Sequence, residues 1–127
     1  MRFHLGQAHA VGVALAALGT GAPQAQEGPK SIKVGYAISK TGPNAGGASI
    51  TKIPNYQMWV KDVNDRGGIM LKSVGRRVPI EVIEYDDRSN SEEAVRAVER
   101  LATQDKVDFL FPPWGTGLNL AVGPVFN

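Results

Sequence analysis

Residues 31–47 read SIKVGYAISKTGPNAGG, and the change of texture inside this stretch decides the fold. Its first nine residues are rich in β-branched and aromatic side chains and form a short apolar run, the pattern of a buried strand. Residues 40–47 then concentrate Gly, Pro and Asn, which mark a loop. Beyond it the periodicity changes. Ile53, Tyr56, Val60 and Val63 recur at spacings of three and four with Trp59 beside them, so residues 48–65 are expected to be helical. Pro54 either occupies the first turn or kinks a helix begun earlier. Gly67 and Gly68 end the helix, because glycine accepts the left-handed conformation of a C-terminal cap.

The same alternation continues. Residues 77–85 (RVPIEVIEY) read as a second strand, and Pro79 near its start cannot donate a ladder hydrogen bond, which points to a sheet edge. Residues 86–90 form a polar turn. Asn90 with Glu93 is expected to make a capping box, ahead of a helix whose buried stripe is Ala94, Val95, Val98, Leu101 and Ala102. Residues 107–111 give a third apolar strand, residues 112–117 (PPWGTG) a loop, and Leu118 opens a third helix. Strand, helix, strand, helix, strand, helix implies an α/β fold: a parallel, Rossmann-like sheet with right-handed crossovers.

The amino terminus is organised differently. Residues 1–9 carry one positive charge and no acid, residues 10–18 (AVGVALAAL) are apolar, and small residues follow to Ala25. This is the tripartite pattern of a secretory signal peptide, with cleavage expected after Ala25. The apolar run is about half of what spans a bilayer, so no membrane insertion is expected after its removal. Residues 26–127 then make up the α/β part of the chain.

Composition narrows the function. The 127 residues hold no cysteine, so disulfides and thiolate chemistry are excluded. Both histidines, His4 and His9, fall in the signal segment. The remainder therefore has no Ser/His/Asp arrangement, and an enzyme of the flavodoxin-like kind is disfavoured. The net charge is +2 and no basic run exceeds Arg76–Arg77, which gives no footprint for nucleic acid. Residues 40–47 lack the order of a P-loop or a dinucleotide fingerprint, and no cofactor is implied. Asp86 and Asp87 have no His nearby to complete a metal site, and read as turn acids bonding local backbone amides.

Ligands of open parallel sheets bind outside the carboxyl ends of the strands, where the strand order reverses. In a 2-1-3 order the loops after strands one and three face one crevice. Gly115, Thr116 and Gly117 just before a helix offer backbone N–H groups to an anion, such as a carboxylate on a small organic body. The Thr116 hydroxyl either adds a donor or caps the helix. Trp114 either presents an apolar face to a ligand or packs against the neighbouring loop.

The ordered set IKVGYAISKTGPNA, NDRGGI, VPIEVIEYDDRSNSEEAVRAVERL and VDFLFPPWGTGLNLAVGPV spans residues 32–125. It resembles the branched-chain amino-acid type of periplasmic solute-binding protein, whose members feed ABC importers. The resemblance implies a type I periplasmic binding protein lobe, here only its first three strand–helix units. A small-molecule ligand and an importer permease would be the partners. The family's third-strand loop often reads Gly-Pro-aromatic-Ser-Ser-Gly, and residues 112–117 take those places. Thr116 then falls on a family Ser/Thr that binds the ligand, and Gly115 keeps a backbone contact but lacks the hydroxyl. Ala45 and Gly46 match the part of the first loop that borders the ligand. Family members are far longer, so the hinge and second lobe are expected to lie outside these residues. The third strand is then expected to show an open apolar edge. A ligand-sensing regulatory domain of the same fold is the competing reading.

Overall fold

The structure, a computed structural model, describes residues 28–126. The expected signal peptide, residues 1–25, lies outside the described residues. Three parallel strands, β1 (Ile32–Ile38), β4 (Ile80–Asp86) and β5 (Phe109–Phe111), form a sheet of order β4-β1-β5. The register aligns Ile32 with Ile80 and Val34 with Phe109. This is the 2-1-3 order under which the loops after strands one and three face one crevice. The central strand is covered on both faces, as strands of parallel sheets are, and so reads as a continuous apolar run.

The two faces of β1 differ in side-chain size. Ile32, Val34, Tyr36 and Ile38 pack toward α1 (Ala45–Thr51) and α2 (Ile53–Asp65), with Tyr56, Val60 and Phe111 against them. Ala37 faces the other way, onto Ala94 and Val98 of α3 (Ser91–Thr103) and Leu118 and Val122 of α4 (Thr116–Val122). Small residues on that face let α3 lie close. A Cβ at Gly35 would stand 2.8 Å from Leu101 Cδ2. Burial of these aliphatic side chains contributes about 1.5–3 kcal/mol each.

Several local expectations change. The helix of residues 48–65 begins earlier, at Ala45, and is two helices that meet at Lys52, which stays in the right-handed region at φ −115° and ψ −50°. Pro54 occupies the first turn of α2, where its missing N–H costs nothing. Residues 77–85 are not one strand. Pro79 separates β4 from β3 (Arg76–Val78), which pairs antiparallel with β2 (Ile69–Leu71) in a hairpin the sequence reading lacked. Gly68 makes the hairpin possible: its φ is +92°, and a Cβ there would lie 2.8 Å from Pro79 N. The edge position inferred from Pro79 agrees with β4 at one side of the sheet.

The capping box is only half made. Asn90 Oδ1 accepts from the amides of Glu92 and Glu93 at 2.9 and 3.0 Å. The reciprocal bond is absent: the Asn90 amide donates to Asp87 O, and the Glu93 carboxylate accepts from Arg96. Of the expected stripe on α3, Ala94, Val98 and Leu101 are buried, Val95 is half-buried and Ala102 is exposed. The third strand is shorter than expected, because Val107 and Asp108 lie in the turn that enters it: the Val107 amide donates to Leu101 O, and Asp108 exchanges bonds with Lys33. The far edge of β5 has no partner among the described residues, and Phe109 on it is 57% exposed. No helix among the described residues is long and apolar enough to cross a membrane.

Candidate functional site

β1 and β5 are neighbours whose outgoing chains turn to opposite faces of the sheet, β1 into α1 and β5 into α4. That divergence opens a crevice at their carboxyl ends. The first loop enters it under close restraint from the turn after β4. Asp86 Oδ1 accepts from the amides of Lys40, Thr41 and Arg88, and its Oδ2 accepts from Thr41 Oγ1 at 2.7 Å. Burial pushes the Asp86 carboxyl up, but these four donors outweigh it and hold the group below the usual carboxylate range. Ser89 Oγ donates to Thr41 O and accepts from the Asn44 amide.

Asp87 is fully buried, and its Oδ1 accepts from Ser39 Oγ at 2.6 Å and from the Ser89 amide at 2.8 Å. Its Oδ2 has no protein partner. The acids thus bond local backbone amides, and they also reach across to the first loop. Arg88 and Ser89 adopt φ of +52° and +60°, a strained pair for non-glycine residues. Gly42 is required beside them, because its φ is +84° and a Cβ would lie 2.6 Å from Arg88 O. No group of three or more His, Cys, Asp or Glu among the described residues could hold a metal.

The second loop is fixed from the opposite side by α1. The Trp114 indole rests on Gly47, where a Cβ would lie 2.5 Å from Cη2 and 3.0 Å from Cε2. Its Nε1 donates to Thr51 Oγ1 at 2.8 Å, while that hydroxyl donates to Gly47 O. Of the two readings of Trp114, packing against a neighbouring element is therefore present. Lys52 Nζ donates to Pro112 O and Pro113 O. Asn119, which the sequence reading passed over, donates to Pro113 O and Gly115 O at 2.9 and 2.7 Å.

The cap expected of Thr116 is not made. Gly115 is the N-cap of α4 at φ +95°, and Thr116 is the first helical residue, exposed, with no capping bond. A glycine turning through positive φ starts the helix one residue sooner than a hydroxyl cap would. Gly115 also brings the two loops together, since a Cβ there would stand 3.7 Å from Asn44 Nδ2. Ala45 and Gly46 lie in the first turn of α1, not in a loop; Ala45 is half-buried and Gly46 exposed. A Cβ on Gly46 or on Gly117 would meet nothing within 4 Å. Both turns therefore present small, open backbone at the carboxyl ends of the strands.

This geometry has relatives. The sequence pattern of the periplasmic binding protein family matches residues 31–127. The branched-chain amino acid transporter substrate binding protein LivJ from Streptococcus pneumoniae, solved in complex with isoleucine, superposes with a TM-score of 0.60 at 32% identity. That match covers 73% of this chain and 25% of LivJ. An extracellular ligand-binding receptor from Rhodopseudomonas palustris shares the fold at a TM-score of 0.52 and 20% identity, over 76% of this chain and 23% of the receptor. The chain thus spans about a quarter of the length of the solved structures it matches. With its sheet order, its crevice and its sequence pattern in agreement, the chain belongs to the periplasmic binding protein family, and within it resembles the branched-chain amino-acid type.

Proposed function

We propose that this chain forms part of the ligand-contacting lobe of a solute-binding protein. Such a protein captures a small polar metabolite in the periplasm and delivers it to an ABC importer. The observation that carries the reading is the meeting of two small-residue turns at the switch point of the sheet, with the Thr116 hydroxyl free of any capping bond. Trp114, Gly115 and Thr116 on one side, and Ala45 and Gly46 on the other, are the ligand contacts in this reading. An amino acid, its amide or a related carboxylate suits them: the turns offer neutral donors, and a carboxylate or amide oxygen accepts from such groups. LivJ, crystallised with isoleucine, is the nearest chemical precedent among the solved relatives named above. The reading involves capture alone, with no covalent step.

Export follows from the amino-terminal pattern, with removal of residues 1–25. Mass spectrometry of the exported protein is expected to find a start at Gln26; recovery of the Met1 form from the cytosol alone would refute it. Calorimetry of a full-length, two-lobed protein that carries this segment, against L-isoleucine, L-leucine, L-glutamine and a simple aromatic carboxylate, tests capture; the 127 residues alone are expected to bind poorly. Heat of binding to the full-length protein for at least one, reduced by Thr116→Ala, is expected. Absence of binding to all of them counts against the function.

A further inference from the structure

Lys52 stands at the junction of α1 and α2, and it makes no ion pair among the described residues. Its ammonium donates instead to two consecutive carbonyls, Pro112 O and Pro113 O, both at 2.9 Å. It lies 5.5 Å from the centroid of the Tyr56 ring. Partial burial lowers its affinity for a proton, so holding a cation here has a cost. The two carbonyls mark where β5 stops and the chain leaves the ladder, so they need a donor from elsewhere. Gly47 and Thr51, one turn apart on α1, receive the Trp114 indole just beyond them. One short stretch of helix thereby holds residues 112–114 by a charge, a notch and a hydroxyl.

We infer that Lys52 is a positioning residue: its ammonium sets the β5–α4 loop, and with it Trp114, Gly115 and Thr116, in place against the first loop. Its bearing on ligand capture rests on the function proposed above. Nothing in the inference requires Lys52 to touch a ligand. The ammonium acts through the two carbonyls, and a side chain with the same stem and no donor cannot replace it.

The test uses Trp59→Phe as background, which leaves Trp114 the sole tryptophan of the chain. Lys52→Met removes the ammonium and keeps a flexible apolar stem; Lys52→Arg restores charged donors. Lys52→Leu, likewise without a donor, serves if the Met variant does not fold. Acrylamide quenching of Trp114 and amide hydrogen exchange at Asn119, whose amide donates to Gly115 O, are read well below the thermal midpoint. Lys52→Met is expected to raise the quenching constant about twofold and to speed exchange on the order of tenfold, as local opening becomes easier. Lys52→Arg is expected to return both toward the background values. A purely structural role would lower the melting temperature and leave these readouts unchanged in the folded chain, which overturns the proposal. Binding of L-isoleucine is measured on the same proteins. Loss of binding without a change in quenching also overturns it, since Lys52 would then be a direct contact. A quenching change reversed by arginine supports it even if the chain binds no member of the amino-acid panel, an outcome that removes only the capture function.

Discussion

Gly47→Ala tests whether α1 dictates where the second loop sits. The added Cβ would come within 2.5 Å of Trp114 Cη2 and 3.0 Å of Cε2, and closer still to Cζ2. Helix backbone cannot yield that distance, so the indole must withdraw. Withdrawal strains the 2.8 Å bond from Nε1 to Thr51 Oγ1, a bond of about 0.5–1.5 kcal/mol. Overpacking adds roughly 1–3 kcal/mol. Against this, alanine in a helix gains about 0.5–1 kcal/mol over glycine. The balance is a destabilisation of about 1–3 kcal/mol, measured by urea denaturation of the chain. The same substitution beside Trp114→Leu meets a smaller side chain, and only the gain in helix propensity is left. The double-mutant cycle should therefore show a coupling of about 1.5–4 kcal/mol, the loss beside Trp114 plus the gain beside leucine. Equal effects of Gly47→Ala in the two backgrounds would refute the docking of Trp114 on α1.

Thr116→Ala is expected to weaken capture by roughly 1–3 kcal/mol, as for a hydrogen bond to a charged partner, without moving the unfolding midpoint, because Thr116 makes no cap; a fall in stability with unchanged affinity contradicts this. Asp86 is held below its unfolded value of about 3.9, so the stability it adds is present above that pH and is lost as pH falls through the lower folded value. Thermal melts below about pH 4 should therefore drop less steeply in Asp86→Asn than in the unaltered chain. Asn90→Ala removes the acceptor of two amides at the start of α3 and should cost about 1 kcal/mol in denaturant unfolding; no loss would mean water replaces the cap.

The layered part of the fold was legible because its signals are periodic and local. The apolar run of residues 32–38 can only be buried on both faces, and a strand buried on both faces belongs inside a parallel sheet. Tyr56, Val60 and Val63 at helical spacing placed α2. The hairpin was not legible for the same reason. β2 and β3 are three residues each, too short to show alternation, and Pro79 is the only mark between β3 and β4. Gly67 and Gly68 carried two meanings at once. They stop α2, and Gly68 also lets the chain pass under Val78, a close approach that depends on residues ten positions away.

The site divides along the same line. Which loops meet followed from the 2-1-3 strand order, a common order for open parallel sheets that the alternation of strands and helices permits but does not dictate. How each side chain is used did not follow. Thr116 looked like a cap because a hydroxyl precedes a helical pattern, yet a cap residue must turn the chain, and Gly115 at φ +95° turns it first. Whether Trp114 faces a ligand or packs was open, because its partners, Gly47 and Thr51, are more than sixty residues away. Asp86 and Asp87 bond amides beside them, as expected of turn acids, but half their acceptor capacity goes to Ser39, Lys40 and Thr41. Two glycine-rich turns are therefore each tied down by distant side chains. One is pinned by the acids after β4 and the other by Lys52 and Thr51 on α1. In the capture function proposed above, turns already held in place would lose little further freedom when a ligand arrives.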